Sequence, residues 1–203
     1  MIVLNEIGIQ YDVEYIDLQN RPDWFLVISP TGKVPVLQTP DDINVFESAV
    51  INEYLNEVHK AEMMTGSPIE RAYVRMWRDF MAETYADVYV MYSSPTEDGA
   101  RSTAKSLQKK LSRMEIEIDG PLFNGDRFCF VDSAAAPAFT RLDWINGIDE
   151  SLNIFTALPK AKKWKNNLLA RESVQNSIIP GLEEIFKRRI KENGSWLGSM
   201  VLE

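Results

Sequence analysis

The chain has 203 residues, 45% hydrophobic and 26% charged, enough to bury a sizeable core as one large domain or two small ones. Its formal net charge is −8 and its sequence pI about 4.8, which argues against nucleic acid as a general partner. A single cysteine, Cys129, excludes an internal disulfide framework and fits a reducing cytoplasm, and no apolar run is long enough to cross a bilayer.

In chain order, MIVLNEI reads as the end of a helix, with Gly8 in the left-handed capping position. YDVEYIDL alternates apolar Tyr11, Val13 and Tyr15 with acidic Asp12 and Glu14, which predicts a strand. NRPDWFLVISPTG is a connection with turn chemistry at both ends and room for one helical turn. KVPVLQT and INVFE predict two short strands joined at Pro40-Asp41-Asp42. Pro35 is out of place in such a strand, because proline cannot donate to a sheet ladder. From Ser48 the period becomes helical, with Val50, Ile51, Tyr54, Leu55 and Val58 on one face.

Beyond the Met-Met-Thr-Gly stretch, Ser67-Pro68-Ile69-Glu70 is a strong helix start: a Ser cap, Pro at the first position and Glu three residues past the cap. Val74, Trp77, Met81, Tyr85, Val88 and Met91 then keep a three/four spacing. Ala100, Ala104, Leu107, Leu111, Met114 and Ile118 repeat it, so two long amphipathic helices should pack antiparallel. Further helices are predicted over about 130–145, 158–170 and 174–190. The expected domains are therefore an α/β unit over 1–62 and an all-helical unit over 67–203.

GKVPVL at 32–37, Phe46-Glu47-Ser48 and the helix AVINEYLNE resemble the glutathione transferase superfamily, with WFLVISPTGKVPVL, FVDSAAAPAF and LPKAKKWKNNLLARESV in the usual order. The likeness spans essentially the whole chain and leans to the omega-like or bacterial etherase-like branches. It implies a thioredoxin-like first domain, here lacking its first strand, followed by an all-helical domain.

The resemblance also implies a cis peptide bond before Pro35, turning the backbone of Val34 outward to pair with glutathione as an added strand would. Ser48 would hold the γ-glutamyl carboxylate at a helix start, Glu47 the γ-glutamyl amine, and Lys33 the glycyl carboxylate. Taken alone, Glu47-Ser48 reads as a helix cap and Lys33 as a solvated turn lysine; their spacing around Val34-Pro35 favours the binding reading. Glutathione would be a substrate, with a small hydrophobic or electrophilic second substrate, a homodimer, and neither nucleic acid nor membrane as partner.

Met1 falls inside the first expected helix, so the thiol-activating position would precede it and no catalytic residue is assigned. A shortened version of a longer chain is the expectation; a genuine short form is the alternative. Cys129 reads as a structural thiol where the family has a Ser or Thr cap, with Asp132 three residues on. His59, the only histidine, reads as a helix-end cation, and a zinc site of the usual ligands is not expected. Tyr85, Tyr89, Tyr92 and Trp77 read mostly as core or dimer contacts, the resemblance implying that one or two could line a hydrophobic second-substrate pocket, and KAKKWK reads as a solvated helix face. The resemblance implies a glutathione-dependent transferase or thiol-transferase. The alternative is a non-catalytic scaffold resembling stringent-starvation-protein-like members.

Overall fold

In the computed structural model, residues 1–201 are described, and the chain divides into a first unit from Val3 to Glu62 and a second from Met63 onward.

The first unit opens with helix α1 (Ile2–Ile7), closed by Gly8 at φ 76°, whose N–H reaches back to the carbonyls of Leu4 and Asn5. Helix α2 (Asp23–Ile28) is the expected helical turn of the connection. Strands β1 (Val36–Gln38) and β2 (Asn44–Phe46) pair antiparallel, Val36 opposite Phe46 and Gln38 opposite Asn44. Buried Thr39 ties their turn: its N–H donates to the Ile43 carbonyl at 2.9 Å and its Oγ1 accepts from the Ile43 N–H at 3.2 Å. Helix α3 (Ser48–His59) follows directly.

Two expectations fail in this unit. YDVEYIDL forms no strand, and β1–β2 is the only sheet among the described residues. Alternation marks which side chains could face a core, but a strand also needs a neighbour to accept its backbone hydrogen bonds, and this segment has none. On α3, Ile51 and Leu55 are buried, whereas Val50 and Val58 remain exposed, so the buried stripe is narrower than the spacing suggested.

The second unit is helical. Helix α4 (Pro68–Ser93) starts with the full capping box: the Ser67 side chain accepts from the Glu70 N–H, and the Glu70 carboxylate accepts from the Ser67 N–H at 2.7 Å. Helix α5 (Glu97–Met114) is capped by Thr96 and buries Ala100, Ala104, Leu107, Leu111 and Met114 as the spacing predicts. On α4 the buried stripe is Val74, Arg78, Met81, Thr84, Val88 and Met91, while Trp77 is partly covered and Tyr85 is exposed. Large aromatic rings at the edge of the stripe keep one side in water, and the smaller Thr84 fits beneath by bonding its hydroxyl to the Phe80 carbonyl.

Helix α6 (Phe130–Ile148) is the buried centre of this unit, packing against α4, and Asp132 in its first turn accepts from the N–H groups of Phe123 and Cys129 at 3.0 and 2.8 Å. Helix α7 (Pro159–Leu169) has its first turn held by Glu115, whose carboxylate accepts from the Lys160 and Ala161 N–H groups at 2.8 and 2.7 Å. The single helix expected over 174–190 is two, α8 (Glu172–Gln175) and α9 (Leu182–Glu192). Pro180 and Gly181, the latter at φ 78°, break it, since proline has no N–H for the ladder. KAKKWK is not a solvated face throughout: Trp164 is fully buried, and Lys165, itself buried, is paired with Asp143. Among the described residues no helix is long and apolar enough to cross a membrane.

Candidate functional site

The hairpin register brings the two halves of the expected site together. The Val36–Phe46 pair ends the ladder, so Val34-Pro35, just before β1, and Glu47-Ser48, just after β2, lie at the same end of the hairpin. The four residues thus occupy one open end of the hairpin, all exposed. The Val34–Pro35 peptide is cis, and among the described residues neither backbone group of Val34 is hydrogen-bonded.

The loop carrying Lys33 is pinned from below. Ser29 is buried, and its Oγ donates to the Lys33 carbonyl at 2.9 Å while its own carbonyl accepts from the Gly32 N–H at 2.9 Å. Arg21 Nε donates to the Gly32 carbonyl at 2.8 Å. Sequence reasoning missed Ser29 and Arg21 as supports. The signal for Ser29 was available in the Ser-Pro-Thr-Gly turn, whereas Arg21 lies too far along the chain for local turn chemistry to reveal it.

Glu47 turns the chain from β2 into α3 with φ 68° and ψ 116°, a conformation that a non-glycine residue holds only at a cost of about 1–3 kcal/mol. Its side chain makes no capping bond. The first bond of α3 runs from the Ile51 N–H to the Glu47 carbonyl at 3.0 Å, so the N–H groups of Ser48, Ala49 and Val50 precede the ladder. Free N–H groups and the helix dipole make this end suited to a carboxylate. Among the described residues, Lys33 and Glu47 have no ion-pair partner, so a cation and an anion are both unspent here.

Other candidates are positioned differently. Cys129 is 3% exposed, and burial together with the neighbouring Asp132 carboxylate pushes its thiol well above the ordinary range. A thiol held protonated is a poor nucleophile. His59 is the exposed last residue of α3. Among the described residues no group of three or more His, Cys, Asp or Glu side chains gathers as a metal-ligand set.

Comparison with known proteins gives the family. The family model described as glutathione S-transferase, N-terminal domain, matches residues 1–58. The chain is 30% identical over 181 residues to glutathione S-transferase DHAR3, chloroplastic, of Arabidopsis thaliana, covering 87% of this chain and 66% of that one. It is also 30% identical over 183 residues to glutathione S-transferase U19 of the same plant, covering 87% and 82%. The crystal structure of glutathione transferase Omega 3C from Trametes versicolor superposes with a TM-score of 0.78 at 26% identity, over 87% of this chain and 81% of that one.

The chain belongs to the glutathione S-transferase family. Its function is glutathione S-transferase-like, and the relatives it resembles carry DHAR, U and omega names within that family.

Proposed function

We propose that this chain binds glutathione at the open end of the β1–β2 hairpin and serves a glutathione-dependent transferase or thiol-transferase reaction. The observation that supports the reading is the hairpin, whose Val36–Phe46 pairing leaves Val34-Pro35 and Glu47-Ser48 at one end. The free backbone of Val34 pairs with the cysteinyl part of the tripeptide as a short added strand. Ser48 and the first N–H groups of α3 take the γ-glutamyl carboxylate, Glu47 the γ-glutamyl amine, and Lys33 the glycyl carboxylate.

Holding a thiol in one orientation beside an electrophile lowers the entropic part of the barrier, which is the contribution these residues supply. The second substrate is a small hydrophobic or electrophilic molecule. The protein acts in the cytoplasm as a homodimer through its long helices; exposed Ile69, Met76 and Val90 on α4 support such a contact. No residue is assigned to activating the thiol.

Titration calorimetry with glutathione tests the binding reading. Saturable binding that disappears in the Glu47→Ala, Ser48→Ala double variant supports it. A folded chain that takes up no glutathione sinks it.

A further inference from the structure

Three Asn-Gly pairs occur in the chain, at 124–125, 146–147 and 193–194. In such a pair the glycine nitrogen can attack the preceding side-chain amide, because no Cβ blocks the approach. A nitrogen whose N–H is held in a hydrogen bond must first give that bond up, and the fold treats the three pairs differently.

Gly147 lies inside α6, where its N–H belongs to the helix ladder, and Asn146 Oδ1 is buried. Asn193 is exposed just past α9, but the Gly194 N–H donates to the Lys191 carbonyl at 3.1 Å. Asn124 is exposed in the turn before α6, and among the described residues neither its side-chain amide nor the Gly125 N–H makes a hydrogen bond. Other groups close that turn: the Leu122 N–H donates to the Gly125 carbonyl at 3.0 Å.

The start of α6 leans on this turn. Phe123, next to Asn124, gives its N–H to Asp132 at 3.0 Å, and its carbonyl accepts from the Asp119 N–H at 3.2 Å. The backbone of Gly120 also packs so closely here that a Cβ on it would lie 2.8 Å from Gly125 Cα. The turn has no room for a longer backbone.

We propose that Asn124-Gly125 is a site of self-modification, which converts to isoaspartate and loosens the start of α6. The Gly125 nitrogen bonds to Asn124 Cγ, the Cγ–Nδ2 bond breaks, and the nitrogen's proton leaves with the amide as ammonia. Water then opens the resulting succinimide. Opening at the main-chain carbonyl breaks that carbon's bond to the Gly125 nitrogen, so the chain now runs through Cγ. The product carries one more backbone carbon and a new carboxylate, close to exposed Asp126.

The test ages the full chain at mildly alkaline pH and maps its peptides by mass, where deamidation adds about 1 Da. Isomerisation at neighbouring Asp119-Gly120 leaves the mass unchanged, and electron-transfer fragmentation separates isoaspartate from aspartate. Asn124 reacts at least about fivefold faster than Asn193, whose Gly194 must surrender a hydrogen bond, and at least about a hundredfold faster than Asn146, where the helix must open. In urea the three pairs react within about threefold of one another, since the fold no longer separates them. The aged wild type has a lower denaturant midpoint than the fresh protein, and aged Asn124→Gln keeps its midpoint. Faster reaction at Asn193 or Asn146 in the folded chain, or the same spread of rates in urea, overturns the proposal. So does a converted chain that keeps its midpoint, or an equal fall in Asn124→Gln.

Discussion

The Trp164 indole N–H donates to Asp132 Oδ1 at 2.6 Å, and neither side chain has any solvent exposure. With the backbone N–H groups of Phe123 and Cys129, the indole makes three donors converging on one carboxylate. This contact fastens α7 and the loop before α6 to the first turn of α6.

Asp132→Ala leaves those three donors buried without a partner, at about 1–3 kcal/mol each before relaxation. The helical unit is expected to lose about 3 kcal/mol or more, read as a lower denaturant midpoint. Asp132→Asn keeps the shape and one acceptor oxygen and should lose less. Equal stability of the alanine variant and the wild type would show that the network is incidental.

Lys33→Met should raise the dissociation constant of glutathione about three- to tenfold, in line with an exposed charge pair aided by its fixed loop. The deficit should shrink as salt is added, because the lost attraction is screened. Ser29→Ala should weaken binding through a side chain that faces the loop and not the ligand, while costing about 1 kcal/mol of stability. Calorimetry over a salt series separates the two effects.

Burial, with Tyr85 and Tyr89 close by, pushes Tyr92 up to about 12, against a pull in the other direction from Arg141 and Arg189. Tyr73 is likewise raised to about 12 by burial and by its hydrogen bond to Glu117. An unfolded phenol titrates near about 10, so the unfolded chain releases its proton first. The stability from these two phenols is present below about pH 10 and is lost as pH rises towards about 12. Phenolate absorbance should show Tyr73 and Tyr92 titrating late, with Tyr11 also raised by burial and by nearby Tyr15, and Tyr92→Phe should remove one late component.

Cys129 should stay unmodified by an aromatic disulfide reagent at neutral pH in the folded protein, and react as one thiol equivalent on unfolding. Fast reaction in the native state would contradict its burial. Cys129→Ser, restoring a stronger cap at the start of α6, should add about 0.5–1 kcal/mol.

Local chemistry made much of this fold legible. The Ser67-to-Glu70 capping box, the apolar stripe of α5 and the Pro40-Asp41-Asp42 turn each depend on neighbours a few residues away. The misreadings share another cause. The strand predicted for YDVEYIDL needed a distant partner, and the covering of Val50 and Val58 depended on which neighbours pack on α3. Pro180-Gly181 was a local signal, overridden by the apolar periodicity on either side. At the candidate site, residue types and spacing were readable, but the meeting of Val34-Pro35 and Glu47-Ser48 at one end of the hairpin required the strand pairing, and Arg21 required the tertiary fold.

Glu47 sets two selection pressures against each other. Its left-handed backbone suits glycine, so Glu47→Gly should relieve about 1 kcal/mol and raise the melting temperature of the first unit. The same change deletes the carboxylate offered to the ligand's amine. A laboratory evolution scheme that rewards heat tolerance alone would therefore favour glycine here and erode ligand recognition, whereas one that rewards binding would keep the costly residue.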